Sequence, residues 1–109
     1  MTADLPVVWH ITPDGVPATA GDEGFIHASF PAQLAETLAI HFSAASQVVL
    51  LHLDVAALGD TLVVEPSRGG QDFPHIYGVI DDGHVLERVT LSRGQDGAFD
   101  LSAVPGASG

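Results

Sequence analysis

Gly24-Phe25-Ile26-His27-Ala28-Ser29-Phe30-Pro31 opens as an extended apolar run and closes as a helix start. Phe25 to Ala28 reads as a short strand. Ser29 then supplies a capping hydroxyl, and Pro31 places proline in the first helical turn. In a strand, residues i and i+2 share a face, so His27 and Ser29 point the same way. A second segment repeats that device fifty residues on: Glu65-Pro66-Ser67-Arg68-Gly69-Gly70-Gln71-Asp72-Phe73-Pro74-His75-Ile76-Tyr77-Gly78. There His75 and Tyr77 stand two apart, and Pro74 holds Phe73 extended and fixes the approach to His75. Two such pairs converging make a small polar pocket.

Working outward, Val7 to Thr12 reads as a strand ended by Pro13 and the Asp14-Gly15 turn. Residues 13–23 read as a loop. Leu34, Leu38 and Phe42, with Ala35 and Ile40, form a helical apolar stripe over 31–44. Val48-Val49-Leu50-Leu51, inside Gln47 to Leu53, suits a central strand buried on both faces. Asp54 to Gly59 reads as one helical turn closed by glycine. Thr61 to Glu65 is a further strand, followed by a loop with a Gly69-Gly70 hinge. Phe73 to Ile80 and Val85 to Leu91 are expected to pair as a hairpin through Asp81-Asp82-Gly83. Asp96-Gly97 turns the chain toward Phe99 and Leu101, and the tail from Pro105 is expected to fray. The fold class is α+β: one strand-rich domain over residues 1–109, its core spanning about 7–101, with one main helix.

The chain has 109 residues, a hydrophobic fraction of 46% and no cysteine, which fits one folded domain without disulfides or thiolate metal sites. No apolar run approaches the roughly 20 residues that span a bilayer, and Met1 to Pro6 lacks the features of a secretory signal. A cytoplasmic protein is expected. Fourteen acidic residues face three basic ones, Arg68, Arg88 and Arg93. That balance lacks the footprint of a nucleic-acid binder and offers nothing to an anionic membrane. Its plainest consequence is solubility. Among the arginines, only Arg68 falls within the pocket segments.

Six histidines raise the question of metal. His10, His27 and His75 with water would make a chemically sensible zinc set, which is the basis for a metal-dependent hydrolase. No pair stands at i, i+4 and there is no His-x-His, so no metal is expected. His41, His52 and His84 read as structural. Glu65, ahead of a proline at a strand end, is placed to act as a base or to accept bonds from sugar hydroxyls. Against that stands an ordinary exposed strand-end acid. Phe73 and Tyr77 offer an aromatic wall for a ring-shaped ligand, or simple core packing. No nucleophile elbow, Walker loop or dinucleotide-binding glycine motif is present.

Taken together, His10-Ile11, the run from Glu23 to Ser29, and Glu65 to Gly78 resemble the bacterial family called domain of unknown function 952. The likeness runs from about Val7 to Leu91. Two departures stand out: only Thr12 to Glu23 separates the first strand from the Gly-Phe-Ile-His run, and Ala28 replaces the usual cysteine. The family looks like a distant relative of the ADP-ribosyltransferase superfamily. That likeness implies a split β-sheet holding nicotinamide adenine dinucleotide (NAD) as the one cofactor. It puts His10 on ribose, Ser29 or His27 near nicotinamide, and Glu65, His75 or Tyr77 in a third role. The expected site is thus His27, His75 and Glu65 for catalysis, with His10, Ser29, Arg68, Tyr77 and Phe73 binding a nucleotide-like ligand. The rival is a module that binds a nucleotide or sugar fragment without turning it over.

Overall fold

The computed structural model describes residues 6–20, 22 and 24–107, apart from the side chain of Arg68. Strands β1 (Val8–Thr12), β3 (Gln47–Leu53) and β6 (Val85–Ser92) form one antiparallel sheet in the order β1-β3-β6. Strands β2 (Ile26–His27), β5 (Asp72–Ile76) and β4 (Leu62–Pro66) form a second, in the order β2-β5-β4. Two short helices complete the fold, α1 (Leu34–His41) and α2 (Val55–Leu58). The α+β expectation holds.

The seam between the sheets lies in the segment from Gly24 to Pro31. Ile26 and His27 pair with Ile76 and His75. Ala28 donates its N–H to the Pro74 carbonyl, but proline has no N–H to return. The ladder ends there, and Ser29 instead exchanges both backbone bonds with Trp9 of β1. Consecutive residues, Ala28 and Ser29, therefore belong to different sheets.

Strand β3 is central in its sheet, and its alternation fills two cores. Leu51 and Leu53 pack with Val8, Ile26 and Ile76 between the sheets. Val48 and Leu50 pack on the other side with Trp9, Leu34, Leu38 and Leu91. The sequence of β3 is apolar on both sides because both sides are covered.

Four expectations are corrected. Asp81-Asp82-Gly83 is not a hairpin: β5 ends at Ile76, and β6 pairs with β3 in the other sheet. Asp81 accepts from the Gly83 N–H to cap a 3-10 turn, Ile80 is buried between the sheets, and the chain crosses over. The hairpin is instead β4–β5, closed by the Ser67 N–H on the Gln71 carbonyl, with Gly69 and Gly70 at φ +67° and +76° where a side chain would be strained. Ser29 is not the helix cap, since its backbone is held in the sheet. The Gln33 carboxamide accepts from the Phe30 N–H and donates to the Asp72 carbonyl. Ile40 lies exposed, off the buried stripe of Leu34 and Leu38. The tail is anchored as far as it is described: Ala107, like Val104 before it, is buried in the second core, and residues 108–109 lie outside the described residues. The Asp96-Gly97 turn forms as expected, with an Arg93–Phe99 bridge behind it.

Candidate functional site

Beside the seam lies a cavity of about 540 Å³. His27, Ala28 and Ser29 line it from the crossing segment, and His10 and Ile11 line it from β1. Neighbours in a strand point to opposite faces, so the cavity sits off the open edge of β1, where the sheets part. Thr37, His41 and Phe42 close it from α1 and its C-cap, and Ser67 and Phe73 from the β4–β5 hairpin. The walls are mainly apolar, interrupted by imidazoles and hydroxyls.

His10 is 4% exposed, and both ring nitrogens are occupied. Nδ1–H donates to the His27 carbonyl at 2.8 Å, and Nε2 accepts the Ala18 N–H at 3.2 Å. A ring that donates at one nitrogen and accepts at the other is neutral with a fixed tautomer. Burial lowers its pKa from 6.5; the bond to His27 works against that, and the nearby His27 ring adds to it. His10 thus ties β1 to β2 and to the short loop that follows β1, and it reaches the cavity without a nitrogen open to a ligand.

Beside this wall stands a second polar unit on the same face of the β2-β5-β4 sheet. His27 and Val63 flank His75, while Glu65 is paired with Phe73. His75 Nδ1–H donates to Glu65 Oε2 at 2.6 Å, and the Tyr77 hydroxyl donates to the same oxygen. These two donors, His75 first, lower the Glu65 pKa, and the carboxylate in turn raises that of Tyr77. His75 is 2% exposed, and its Nε2 has no hydrogen-bond partner among the described residues. The Phe25 ring stacks on it at 4.0 Å, and the His27 ring meets it edge-on at 5.4 Å.

The expected site is therefore divided. His10, His27, Ser29 and Phe73 line the cavity; Glu65, His75 and Tyr77 form a hydrogen-bonded unit outside its wall, and Tyr77 is 45% exposed. Glu65, His75 and Tyr77, the three residues expected to compete for one role, share a single carboxylate oxygen. Arg68 belongs to the hairpin turn, and its side chain lies outside the described residues, as does Glu23 of the motif. The other two arginines are structural. Arg88 binds the Gly15 carbonyl and Asp82, and Arg93 binds the carbonyls of Phe42, Ser43, Ala45 and Gly97.

His41, read as structural, lines the cavity together with Thr37, Phe42 and Ser67. The available signals were the i, i+4 spacing of Thr37 and His41 and the i+2 position of Ser67 beyond Glu65. His52 does prove structural: it stacks on Trp9 at 4.8 Å. Among the described residues, no three His, Asp or Glu side chains are grouped to hold a metal ion, and no helix is long and apolar enough to cross a membrane.

Two solved structures are similar over nearly the whole chain. The crystal structure of protein CC0527 from Caulobacter crescentus is 30% identical, with a TM-score of 0.77 over 89% of this chain and 96% of that one. The solution NMR structure of CC0527 is likewise 30% identical, with a TM-score of 0.74 over 89% and 94%. No curated protein matches the chain. Residues 10–88 match the family described as "Protein of unknown function (DUF952)". That span runs from His10 through the seam to the last strand, and the chain belongs to this family.

Proposed function

We propose that the cavity binds the nicotinamide–ribose end of NAD, making this protein a compact ADP-ribosyltransferase-like NAD binder. The observation that carries the reading is the position of the cavity, at the point where two sheets part and along the open edge of β1. Its volume of about 540 Å³ falls within the range typical of small-molecule sites. Phe42 and Phe73 suit a flat ring, and Ser29, Ser67, Thr37 and the imidazoles of His27 and His41 suit ribose hydroxyls. The fit covers the ring and sugar. For the diphosphate, Arg68 in the adjoining turn is the candidate cation.

Bound there, NAD supplies a ribose carbon activated by its nicotinamide leaving group. The chain's part is to hold that end away from water and to place Glu65 and His75 beside it. Calorimetry with NAD, nicotinamide riboside and adenosine monophosphate tests this. Binding of the first two, lost on Ser29→Trp, is expected; binding of adenosine monophosphate alone would refute the orientation.

A second reading has its own support. His10, expected on ribose, has both nitrogens engaged within the protein. That favours a module that binds the ligand without turning it over, and it predicts saturation with no release of nicotinamide.

A further inference from the structure

The Nε2 atom of His75 is a buried polar atom without a hydrogen-bond partner among the described residues. Buried polar atoms are nearly always hydrogen-bonded, so an orphan calls for an explanation. The environment of His75 sets its chemistry. Nδ1 carries the proton, because it faces a Glu65 oxygen at 2.6 Å. In the neutral ring Nε2 is then a bare lone pair, an acceptor and not a donor. Glu65 is itself fixed by the Tyr77 hydroxyl on the same oxygen. The arrangement is that of a general base held in one tautomer by a carboxylate, itself oriented by a third group.

The base is covered. The Phe25 ring lies on the imidazole face at 4.0 Å and 17° from parallel, in the bend just ahead of β2. The preceding Gly24 has φ +85°, and among the described residues a Cβ built on it would meet nothing within 4 Å. His27, the strand partner of His75, is exposed and lines the cavity. Moving the Phe25 ring aside would open His75 beside a ligand held next to His27.

We propose that His75, oriented by Glu65 with Tyr77 as a positioning residue, is the proton acceptor for a hydroxyl-bearing ligand, and that Phe25, stacked on its ring face, is the movable cover that holds the imidazole packed away. The inference rests on the cavity being the binding site, as proposed above. In the step itself the ligand O–H bond breaks and Nε2–H forms. The electron pair stays on oxygen, and Glu65 balances the imidazolium charge. Among the described residues, the titratable groups facing His75 are Glu65 from β4, Tyr77 beyond β5 and His27 from β2.

Two readouts on the full chain test this, neither of which needs turnover. The first is carbethoxylation by diethyl pyrocarbonate, mapped by peptide mass spectrometry. His75 is expected to react slowly in the wild type and several-fold faster in Phe25→Ala, with His84 unchanged as an internal control. Equal rates at His75 in the two proteins would overturn the cover.

The second is the imidazole ¹⁵N spectrum of histidine-labelled Phe25→Ala protein, titrated separately with NAD and with D-ribose. An upfield shift of His75 Nε2 with either probe supports the acceptor role; an Nε2 signal unmoved by both overturns it. A shift with ribose alone, together with failed calorimetry, would sink the NAD reading and leave this one standing. Tyr77→Phe separates positioning from simple structure. The Nδ1–H signal of His75 should move, because Glu65 then holds His75 as its one remaining donor of the pair, while the amides of β1 and β3 stay in place. An unmoved Nδ1–H signal would remove Tyr77 from the unit.

Discussion

Glu65 and His75 are bonded at 2.6 Å although they are not direct cross-strand partners. Glu65 stands opposite Phe73, and His75 stands opposite Val63. The pair is a diagonal one on a single face of an antiparallel ladder, within reach because both side chains are long. Tyr77, two residues past His75, completes the triangle on the same carboxylate oxygen.

The chain has one tyrosine, so tyrosinate absorbance reports on Tyr77 alone. Its bond to Glu65 raises its pKa above the ordinary 10. In Glu65→Gln the titration should move back toward 10. A midpoint that stays where the wild type has it would break the link between the two residues.

His10 should matter for stability rather than for ligand contact. His10→Ala leaves the part-buried His27 carbonyl without its donor, which costs about 1 kcal/mol. Urea unfolding followed by the fluorescence of Trp9, the one tryptophan, measures this. A variant as stable as the wild type would contradict the role assigned to His10 as a tie between β1, β2 and the loop.

Stability should fall on acidification in two separable stages. His10 and Glu65 both have native pKa values below their ordinary 6.5 and 4.5. The unfolded chain therefore binds protons more readily at each, and the stabilisation is complete above the ordinary value and lost as pH falls through the native one. The first loss begins below pH 6.5 and belongs to His10, and the second begins below 4.5 and belongs to Glu65. His10→Gln should lack the first stage and keep the second. Unfolding midpoints at pH 7, 5.5 and 4 decide this, and a first stage that survives in His10→Gln would assign it elsewhere.

The strands were legible where local pattern and tertiary burial agree. Gln47 to Leu53 is apolar on both faces because it lies between two cores. The hairpin at Asp81-Asp82-Gly83 failed because turn chemistry does not say which strands a turn joins, and burial of Ile80 carries the chain across to the other sheet. Pro74 was read for its effect on Phe73. Its larger consequence, ending the β2–β5 ladder and sending Ser29 to Trp9, depends on a partner strand that a local reading does not contain. At the site, the i, i+2 rule correctly set His75 beside Tyr77. It could not separate the cavity wall from the unit behind it, since that depends on where α1 packs. The i, i+4 spacing of Thr37 and His41 sets them on one helix face without saying that the face meets a cavity, and no local signal shows that His10 spends both nitrogens on backbone groups.

The proposed site for the nicotinamide–ribose end of NAD is the cavity at the seam. The most direct measurement is a titration of ¹⁵N-labelled protein with NAD, following the backbone amides by NMR. Saturable shifts are predicted at Ile11, Ala28, Ser29, Ser67 and Phe73, with Gly97 and Ala98 on the far side of α1 unmoved. Amides at the seam that stay unchanged at millimolar NAD would contradict the claim.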